Sequence, residues 1–182
     1  MGEEDIEYRG EQVIYNGRRI SLVEVRYSKA GTVYVKEVVR HPGAVVILPI
    51  IEGSIILEKQ YRPALNEWIL ELPAGTLEAN EKPEDCARRE LLEETGYYAE
   101  NLISLGAFYA SPGYSDEKLH AFLALNPVYR GRAPENYEAI QVVRLPISVF
   151  EEKIRRGEIR DAKTLATYAL YMLKHMGTER SS

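Results

Sequence analysis

Three glutamates lie at spacings that could hold a metal ion. In the segment GTLEANEKPEDCARRELLEETG, which begins at Gly75, Glu90 and Glu94 are four positions apart and Glu93 adjoins Glu94. If this segment is helical, Glu90 and Glu94 lie one turn apart on one face, with Glu93 beside them. Such like charges repel by roughly 0.2–0.5 kcal/mol per pair unless a cation neutralises them. Mg2+ is often held by one or two carboxylates, with waters and substrate phosphate oxygens completing its ligands.

The helix that would position these carboxylates is predicted from Pro83 to Thr95. Pro83 suits the first helical position, and Glu84 and Asp85 place negative charge near the positive end of the helix dipole. Gly96 is a typical residue for the end of a helix.

An ordinary surface helix is the alternative interpretation of the same residues. Arg88 and Arg89 could pair with Glu93 and Glu94 across helical turns on a solvated face. Exposed helices commonly alternate charge in this way, and helix spacing alone favours this alternative.

The surrounding pattern reverses that preference. One motif accounts for the type and spacing of Gly75, Glu81, Arg89, Glu90, Glu93, Glu94 and Gly96, with Leu91 in its aliphatic position. A chance match of roughly one in fifteen per position makes seven matches an event of about one in 10^8 starting points. The pattern resembles the Nudix box, from which Tyr97 departs in being aromatic where the family usually has a bulky aliphatic residue.

The resemblance to Nudix hydrolases implies a fold, a reaction and a division of roles. The fold is an α/β/α sandwich with a mixed β-sheet, and the reaction splits a nucleoside diphosphate linked to another group. The resemblance implies that Glu90, Glu94 and the backbone carbonyl of Ala74 bind Mg2+, for which Mn2+ could substitute. Within the catalytic motif, Glu93 is an additional or supporting ligand, and Arg89 braces the helix against the loop through Glu81.

Several stretches outside the box resemble the ADP-ribose pyrophosphatases, which release AMP and ribose 5-phosphate from ADP-ribose. They are VVRHPGAVVILPI, EKQYRP, ELPAG, YASPGYSDE and GEIRDAKT. By this resemblance Arg62 contacts the diphosphate, for which a planar and permanently charged guanidinium is suited, and Glu117 contacts substrate hydroxyls. In the family that this chain resembles, a proline about sixteen residues past the last glycine of the box is diagnostic of this substrate, and Pro112 lies sixteen residues past Gly96.

Two alternatives to this function remain. The first is the same chemistry on another nucleoside diphosphate sugar or on a dinucleotide. The second is a non-catalytic nucleotide sensor on a Nudix fold, which the complete set of box carboxylates disfavours.

The segment RAPENYEAIQVV bears on the catalytic base. The resemblance places Glu138 at the position of a family acid that activates water or completes the metal site. The family often has a second acid two residues earlier, where this chain has Asn136. We predict Glu138 as the base, with Glu135, or a metal-bound hydroxide that needs no separate base, as alternatives.

Residues 1–42 are predicted to form a β-rich section that precedes a Nudix hydrolase domain of residues 43–182. The segments EQVIYNG, RRISLVEVRYS and TVYVKEVVR are rich in β-branched and aromatic residues. A section this small cannot bury a stable core alone, so it is expected to pack on a second subunit, as in the family's homodimers. Later strands and the helices predicted from SVFEEKIRRGEI and AKTLATYALYMLKHMG indicate a mixed sheet packed between helices.

Composition limits the partners. A net charge of −5 provides no basic field for nucleic acid, and no apolar run is long enough to span a membrane. The single Cys86 cannot form an internal disulfide and the start MGEEDIEYRG is unlike a signal peptide, so a cytoplasmic location is expected. The expected partner is a small nucleoside diphosphate sugar, and Tyr15, Tyr27 and Tyr34 are candidates for stacking on its adenine.

Overall fold

The computed structural model describes residues 5–131 and 139–179, and the chain divides into two compact units. Unit 1 comprises Met1–Gly43 and Tyr109–Lys118, and unit 2 comprises Ala44–Phe108 and Leu119–Ser182. The N-terminal residues are thus joined by a later segment of the chain, which sequence patterns did not indicate. The assignment of residues 1–42 to dimerisation stays a prediction.

Unit 1 contains a three-stranded antiparallel sheet. Its strands, in spatial order, are β1 (Ile6–Asn16), β2 (Ser21–Lys29) and β3 (Thr32–Arg40). Lys29 pairs with Thr32 across a two-residue turn, where Ala30 and Gly31 have φ of 49° and 80°. Positive φ at both central residues is typical of the tight turns that match the twist of hairpin strands. The strands predicted between residues 11 and 40 are confirmed, and β1 begins earlier, at Ile6.

The segment Tyr109–Lys118 is bound to the end of β3. The Val39 N–H donates to the Tyr114 carbonyl at 2.8 Å, and the Asp116 N–H donates to the Val39 carbonyl at 3.2 Å. The Arg40 guanidinium bridges Asp116, at 3.0 Å from Nη1, and Glu11 on β1. These contacts explain why this segment belongs to the same unit as the N-terminal strands.

Unit 2 is built on a seven-stranded mixed sheet. Its strands are β4 (Ala44–Ile51), β5 (Ser54–Arg62), β6 (Glu67–Glu71), β7 (Ala74–Thr76), β9 (Leu102–Tyr109), β10 (Lys118–Leu125) and β12 (Ile140–Pro146). Two short strands, β8 (Tyr97–Tyr98) and β11 (Val128–Tyr129), form a separate pair. The main order is β12-β5-β4-β10-β9, with β6 on β5 and β7 on β4. Strand β4 pairs in parallel with β10 but antiparallel with β5, which makes the sheet mixed.

Helices cover both faces of this sheet. They are α1 (Pro83–Thr95), α2 (Ile147–Arg155) and α3 (Ala162–Glu179). Alternate residues of β4 point to opposite faces, as a strand requires. Val46 and Leu48 share one core cluster with Phe150 of α2 and Tyr168 of α3, whereas Ile47 shares the other with residues of α1. The predicted α/β/α sandwich is therefore confirmed.

The start of α3 is attached to the chain just before β7. Asp161 Oδ2 accepts hydrogen bonds from the N–H and the hydroxyl of Thr164, at 3.0 and 2.6 Å, and so caps the helix. The buried Thr164 Oγ1 also accepts the Leu72 N–H at 2.9 Å. The Thr164 hydroxyl thus supplies the hydrogen-bond acceptor for the N–H of Leu72, and the chain continues from Leu72 into β7.

No helix in the described ranges combines the length and apolar character needed to cross a bilayer.

Replacing Thr164 by Val should destabilise the protein. The substitution preserves side-chain shape but leaves the buried Leu72 N–H without its acceptor, so we expect a loss of about 1–3 kcal/mol in the free energy of unfolding. Urea denaturation monitored by circular dichroism measures it. Thr167→Val is the matched control, because the Thr167 hydroxyl is equally buried on the same helix and has no hydrogen-bond partner among the residues described. Equal losses in both variants would contradict the assignment.

Candidate active site

Helix α1 begins and ends where the sequence predicts. Pro83 occupies its first turn, with the acidic Glu84 and Asp85, and Gly96 ends it in the left-handed region at φ 79°. The Gly96 N–H donates to the Leu92 carbonyl at 2.8 Å, which closes the last turn.

The Glu94 carboxylate is fixed against the backbone of β7. Its side chain is 3% exposed, and its Oε2 accepts the Ala74 N–H at 3.0 Å. Ala74 is itself held in the sheet by pairing with Val46 of β4. The helix therefore places this acid beside Ala74, the residue whose carbonyl is the predicted third metal ligand.

Glu90 packs on the next residue of β7. A Cβ atom built on Gly75 would lie 1.8 Å from Glu90 Cδ and 2.0 Å from its Oε1, far inside van der Waals contact. Only glycine permits this approach, because any side chain would displace the carboxylate. The structure thus brings together Glu90, Glu94 and the Ala74–Gly75 segment.

Arg89 links the acids of the motif. Its Nε and Nη2 donate to the two oxygens of Glu81, both at 2.9 Å, in a bidentate pair. Its Nη1 donates to Glu90 at 2.8 Å and to Glu93 at 3.3 Å. Through these contacts Arg89 connects helix α1 to the preceding loop at Glu81, and it also orients the carboxylates of Glu90 and Glu93.

The surface-helix alternative accounts for only part of α1. Arg88 pairs with Asp85 at 3.1 Å on the exposed side, as an ordinary surface arginine does. Glu94, however, is buried and accepts a hydrogen bond from a backbone N–H, which a solvated surface glutamate would not do. Cys86 is also fully buried in the core, and this burial raises the pKa of its thiol. A buried thiol that stays protonated is unreactive, so Cys86 serves as a packing residue.

The brace has a clear electrostatic signature. The hydrogen bond from Arg89 is the main cause that lowers the pKa of Glu81 from 4.5 to about 2. The same bond raises the pKa of Arg89 above its ordinary value. Each partner stabilises the charge of the other, so the pair is ionised throughout the physiological pH range.

Arg62, the predicted diphosphate contact, lies at the end of β5. Its Nε donates to Glu71 Oε1 at 2.8 Å. Burial opposes its charge, but the interactions with Glu71 outweigh that effect and, with smaller contributions from Asp161 and Glu94, raise the pKa of Arg62. Arg62 therefore lies within electrostatic range of Glu94. Glu71 was missed in the sequence as a functional residue, although it begins the ELPAG stretch.

The other predicted substrate contacts belong to unit 1. Pro112 is exposed in a turn closed by the Tyr114 N–H on the Ser111 carbonyl at 3.1 Å. Glu117 Oε1 lies 4.0 Å from Nε2 of His41, whose Nδ1 accepts the Gly43 N–H at 3.1 Å.

Among the candidate tyrosines, Tyr27 and Tyr34 form a cross-strand stack with ring centroids 5.5 Å apart, and Tyr15 is exposed. Glu138, Asn136 and Glu135 lie outside the described residues.

The residues present fit a divalent metal ion with few protein ligands. Within residues 5–131 and 139–179, no three His, Cys, Asp or Glu side chains form a metal-binding group. Two carboxylates and one backbone carbonyl form a smaller protein set, which suits Mg2+ because this ion keeps waters and takes phosphate oxygens. Gly75 supports this fit, since it leaves the Glu90 oxygens beside the backbone of β7.

The arrangement defines a class of protein. Carboxylate oxygens on helix α1 adjoin the partly buried strand β7, and Arg62 on β5 lies within electrostatic range of Glu94. Such a combination is suited to metal-assisted hydrolysis of a phosphorylated substrate.

Comparison with known proteins identifies the family. The NUDIX domain matches residues 39–168. An ADP-ribose pyrophosphatase of Bacillus subtilis (strain 168) is 41% identical over 168 residues, 88% of each chain. A methanol dehydrogenase activator of Bacillus methanolicus is 36% identical over 156 residues, 84% of each chain. A GDP-mannose pyrophosphatase of Shigella flexneri serotype 5b (strain 8401) is 35% identical over 158 residues, 77% of this chain and 82% of the other.

The fold agrees with a solved structure as well. The crystal structure of an ADP compounds hydrolase matches 99% of both chains with a TM-score of 0.84, at 20% identity. The chain belongs to the NUDIX family, and the resemblance and fold predicted from its sequence are confirmed.

Removing the brace should weaken stability in a pH-dependent way. The folded pKa of Glu81 is lowered to about 2, so its stabilisation is fully present above 4.5 and is lost as the pH falls toward 2. We expect Glu81→Gln to cost about 1–2 kcal/mol of unfolding free energy at pH 7, reduced from the full shift by solvent screening. Urea denaturation of both proteins between pH 7 and pH 3 should show this difference shrinking in acid. The exposed Glu100→Gln is the control, and a constant difference would contradict the brace.

Proposed function

We propose that the protein is a Mg2+-dependent pyrophosphatase that hydrolyses ADP-ribose to AMP and ribose 5-phosphate. The observation that carries the proposal is the placement of Glu90 and Glu94 against Ala74 and Gly75. The 41% identity to an ADP-ribose pyrophosphatase over 88% of the chain supports the choice of substrate.

In this proposal Glu90, Glu94 and the Ala74 carbonyl hold the metal, with Glu93 as an additional or supporting ligand. When bound, Mg2+ polarises phosphoryl oxygens and lowers the pKa of a bound water. Glu94 is preorganised by the Ala74 N–H, and Glu90 by Arg89. The protein therefore holds these carboxylates in place before substrate arrives. Their negative charges repel one another, and the positive charge of Arg89 partly offsets that repulsion.

Substrate positioning is assigned to three residues. Arg62 contacts the diphosphate, Glu117 contacts hydroxyls, and Pro112 shapes the loop that carries Glu117. Glu138 abstracts the proton of the attacking water, with Glu135 or a metal-bound hydroxide as the alternatives. A carboxylate acts as a base when it lies within hydrogen-bond reach of the proton that it removes.

The same chemistry on another substrate is the second candidate. The 35% identity to a GDP-mannose pyrophosphatase makes GDP-mannose the alternative substrate to test. Both substrates share the diphosphate, so the carboxylates and Arg62 would serve either one. Contacts with the base and the sugar would then decide which substrate is preferred.

We propose a homodimer formed through unit 1 and a cytoplasmic location. The sheet of unit 1 exposes large apolar side chains, namely Ile6, Tyr8, Val13, Ile14, Tyr15, Val33 and Val35. Exposed apolar patches of this kind are typical of protein interfaces. Light scattering of the purified protein tests the dimer.

Neutralising Glu94 should greatly reduce turnover. Glu94→Gln keeps an oxygen to accept the Ala74 N–H but removes the metal-binding charge, so kcat should fall by about 10^2 to 10^4. The measurement is release of AMP from ADP-ribose with Mg2+, and Mn2+ should restore part of the rate lost on chelation. Glu84→Gln, on the exposed first turn of the same helix, is the control. Unchanged activity in Glu94→Gln would contradict the metal assignment.

A substrate panel tests the specificity. We expect kcat/KM for ADP-ribose to exceed that for GDP-mannose and for dinucleotides by tenfold or more, about 1.4 kcal/mol of transition-state discrimination. Preference for GDP-mannose would assign the second candidate. Absence of metal-dependent turnover on every compound, with nucleotide binding retained, would favour the sensor.

A further inference from the structure

Glu71 is a buried carboxylate that the proposed mechanism does not use. It ends β6 and is 1% exposed. Burial of an ionised carboxylate is unfavourable unless cations and hydrogen bonds compensate it. Glu71 has two such partners, Arg62 on β5 and Lys163 on α3.

The contact with Arg62 uses one edge of the guanidinium. Glu71 Oε1 accepts from Nε at 2.8 Å. Neither Nη1 nor Nη2 of Arg62 has a hydrogen-bond partner within the described part of the chain, and the side chain is 37% exposed. The Nη1–Nη2 edge is therefore available to a ligand, and its geometry suits two oxygens of a diphosphate.

The second oxygen of Glu71 is fixed from the opposite side. Glu71 Oε2 accepts from Nζ of Lys163, which also contacts Asp161 Oδ1 at 3.0 Å. Asp161 caps α3 through Thr164, and Thr164 accepts the N–H of Leu72, the residue after Glu71. The carboxylate is thus held at both oxygens and through the backbone that follows it.

We propose that Glu71 is a positioning residue that binds Nε of Arg62 and thereby presents the Nη1–Nη2 edge to the substrate diphosphate. Arg62 would otherwise be a long side chain at a strand end with several rotamers to lose on binding. With Glu71 in place, that ordering is complete before substrate arrives, so binding is tighter. The proposal rests on the proposed function for the role of Arg62.

The test is a double-mutant cycle on Glu71 and Arg62. Glu71→Gln keeps the shape of the side chain but loses the charge, and should raise KM about tenfold with a smaller change in kcat. Arg62→Ala should lower kcat/KM on the order of 100-fold. In the double variant, Glu71→Gln should add less than about twofold to the effect of Arg62→Ala, because it acts through that residue.

Glu67→Gln is the matched control. Glu67 lies on the same strand and also pairs with a cation near the start of α3, Arg160, at 2.6 Å, but on the surface. Its substitution should leave KM unchanged. Thermal unfolding of every variant separates loss of fold from loss of positioning. If Glu71→Gln does not fold, Glu71→Asp replaces it in the cycle and should show the same non-additivity with a smaller rise in KM.

Calorimetric titration with ADP and Mg2+ separates this inference from the proposed function. ADP binding that weakens in Glu71→Gln only when Arg62 is present supports the inference even if ADP-ribose is not hydrolysed. Hydrolysis by the parent protein with additive effects in the cycle would overturn the inference alone and make Glu71 a structural ion pair. Absence of both hydrolysis and ADP binding would overturn both.

Discussion

The close approach of α1 to β7 is the constraint on which the rest of the site depends. Glu90 occupies the space that a side chain at residue 75 would fill, and Glu94 accepts the backbone N–H of Ala74. Both contacts require the helix to lie directly on the strand, which the fully buried small residue Ala87 and the Leu91 side chain allow on its inner face. Packing and chemistry are therefore linked, because the core of unit 2 sets the distance between the acids and the peptide beside them.

That approach concentrates negative charge, and the structure balances it with basic side chains. Arg89 contacts Glu81, Glu90 and Glu93, so one guanidinium serves three acids of the box. At Glu71 the arrangement is reversed, because two cations, Arg62 and Lys163, pair with one buried acid. In the first case Arg89 orients the carboxylates, and in the second the Glu71 carboxylate orients Arg62. Preorganised charges of this kind lower the ordering required when a metal and a polyanionic substrate bind.

Much of the fold was predictable from local pattern. Helix α1 has the bounds predicted from Pro83 and Gly96, because a proline start and a glycine stop act through local backbone geometry. The mixed sheet between helices followed from the order of strand and helix segments. The grouping of Tyr109–Lys118 with the N-terminal strands did not, since it depends on hydrogen bonds between Val39 and residues more than seventy positions away.

The sequence by itself determined the family, the carboxylates of the box and the helix that carries them, because these are encoded in fixed spacings along one continuous segment. Only the tertiary structure showed that Glu94 is buried against Ala74, that Gly75 makes room for Glu90, and that Glu71 holds Arg62. These contacts join separate elements of the folded chain, although the residues are only nine to twenty positions apart in sequence. Burial and hydrogen-bond partners are properties of packing, so the spacing of residues along the chain does not by itself reveal them.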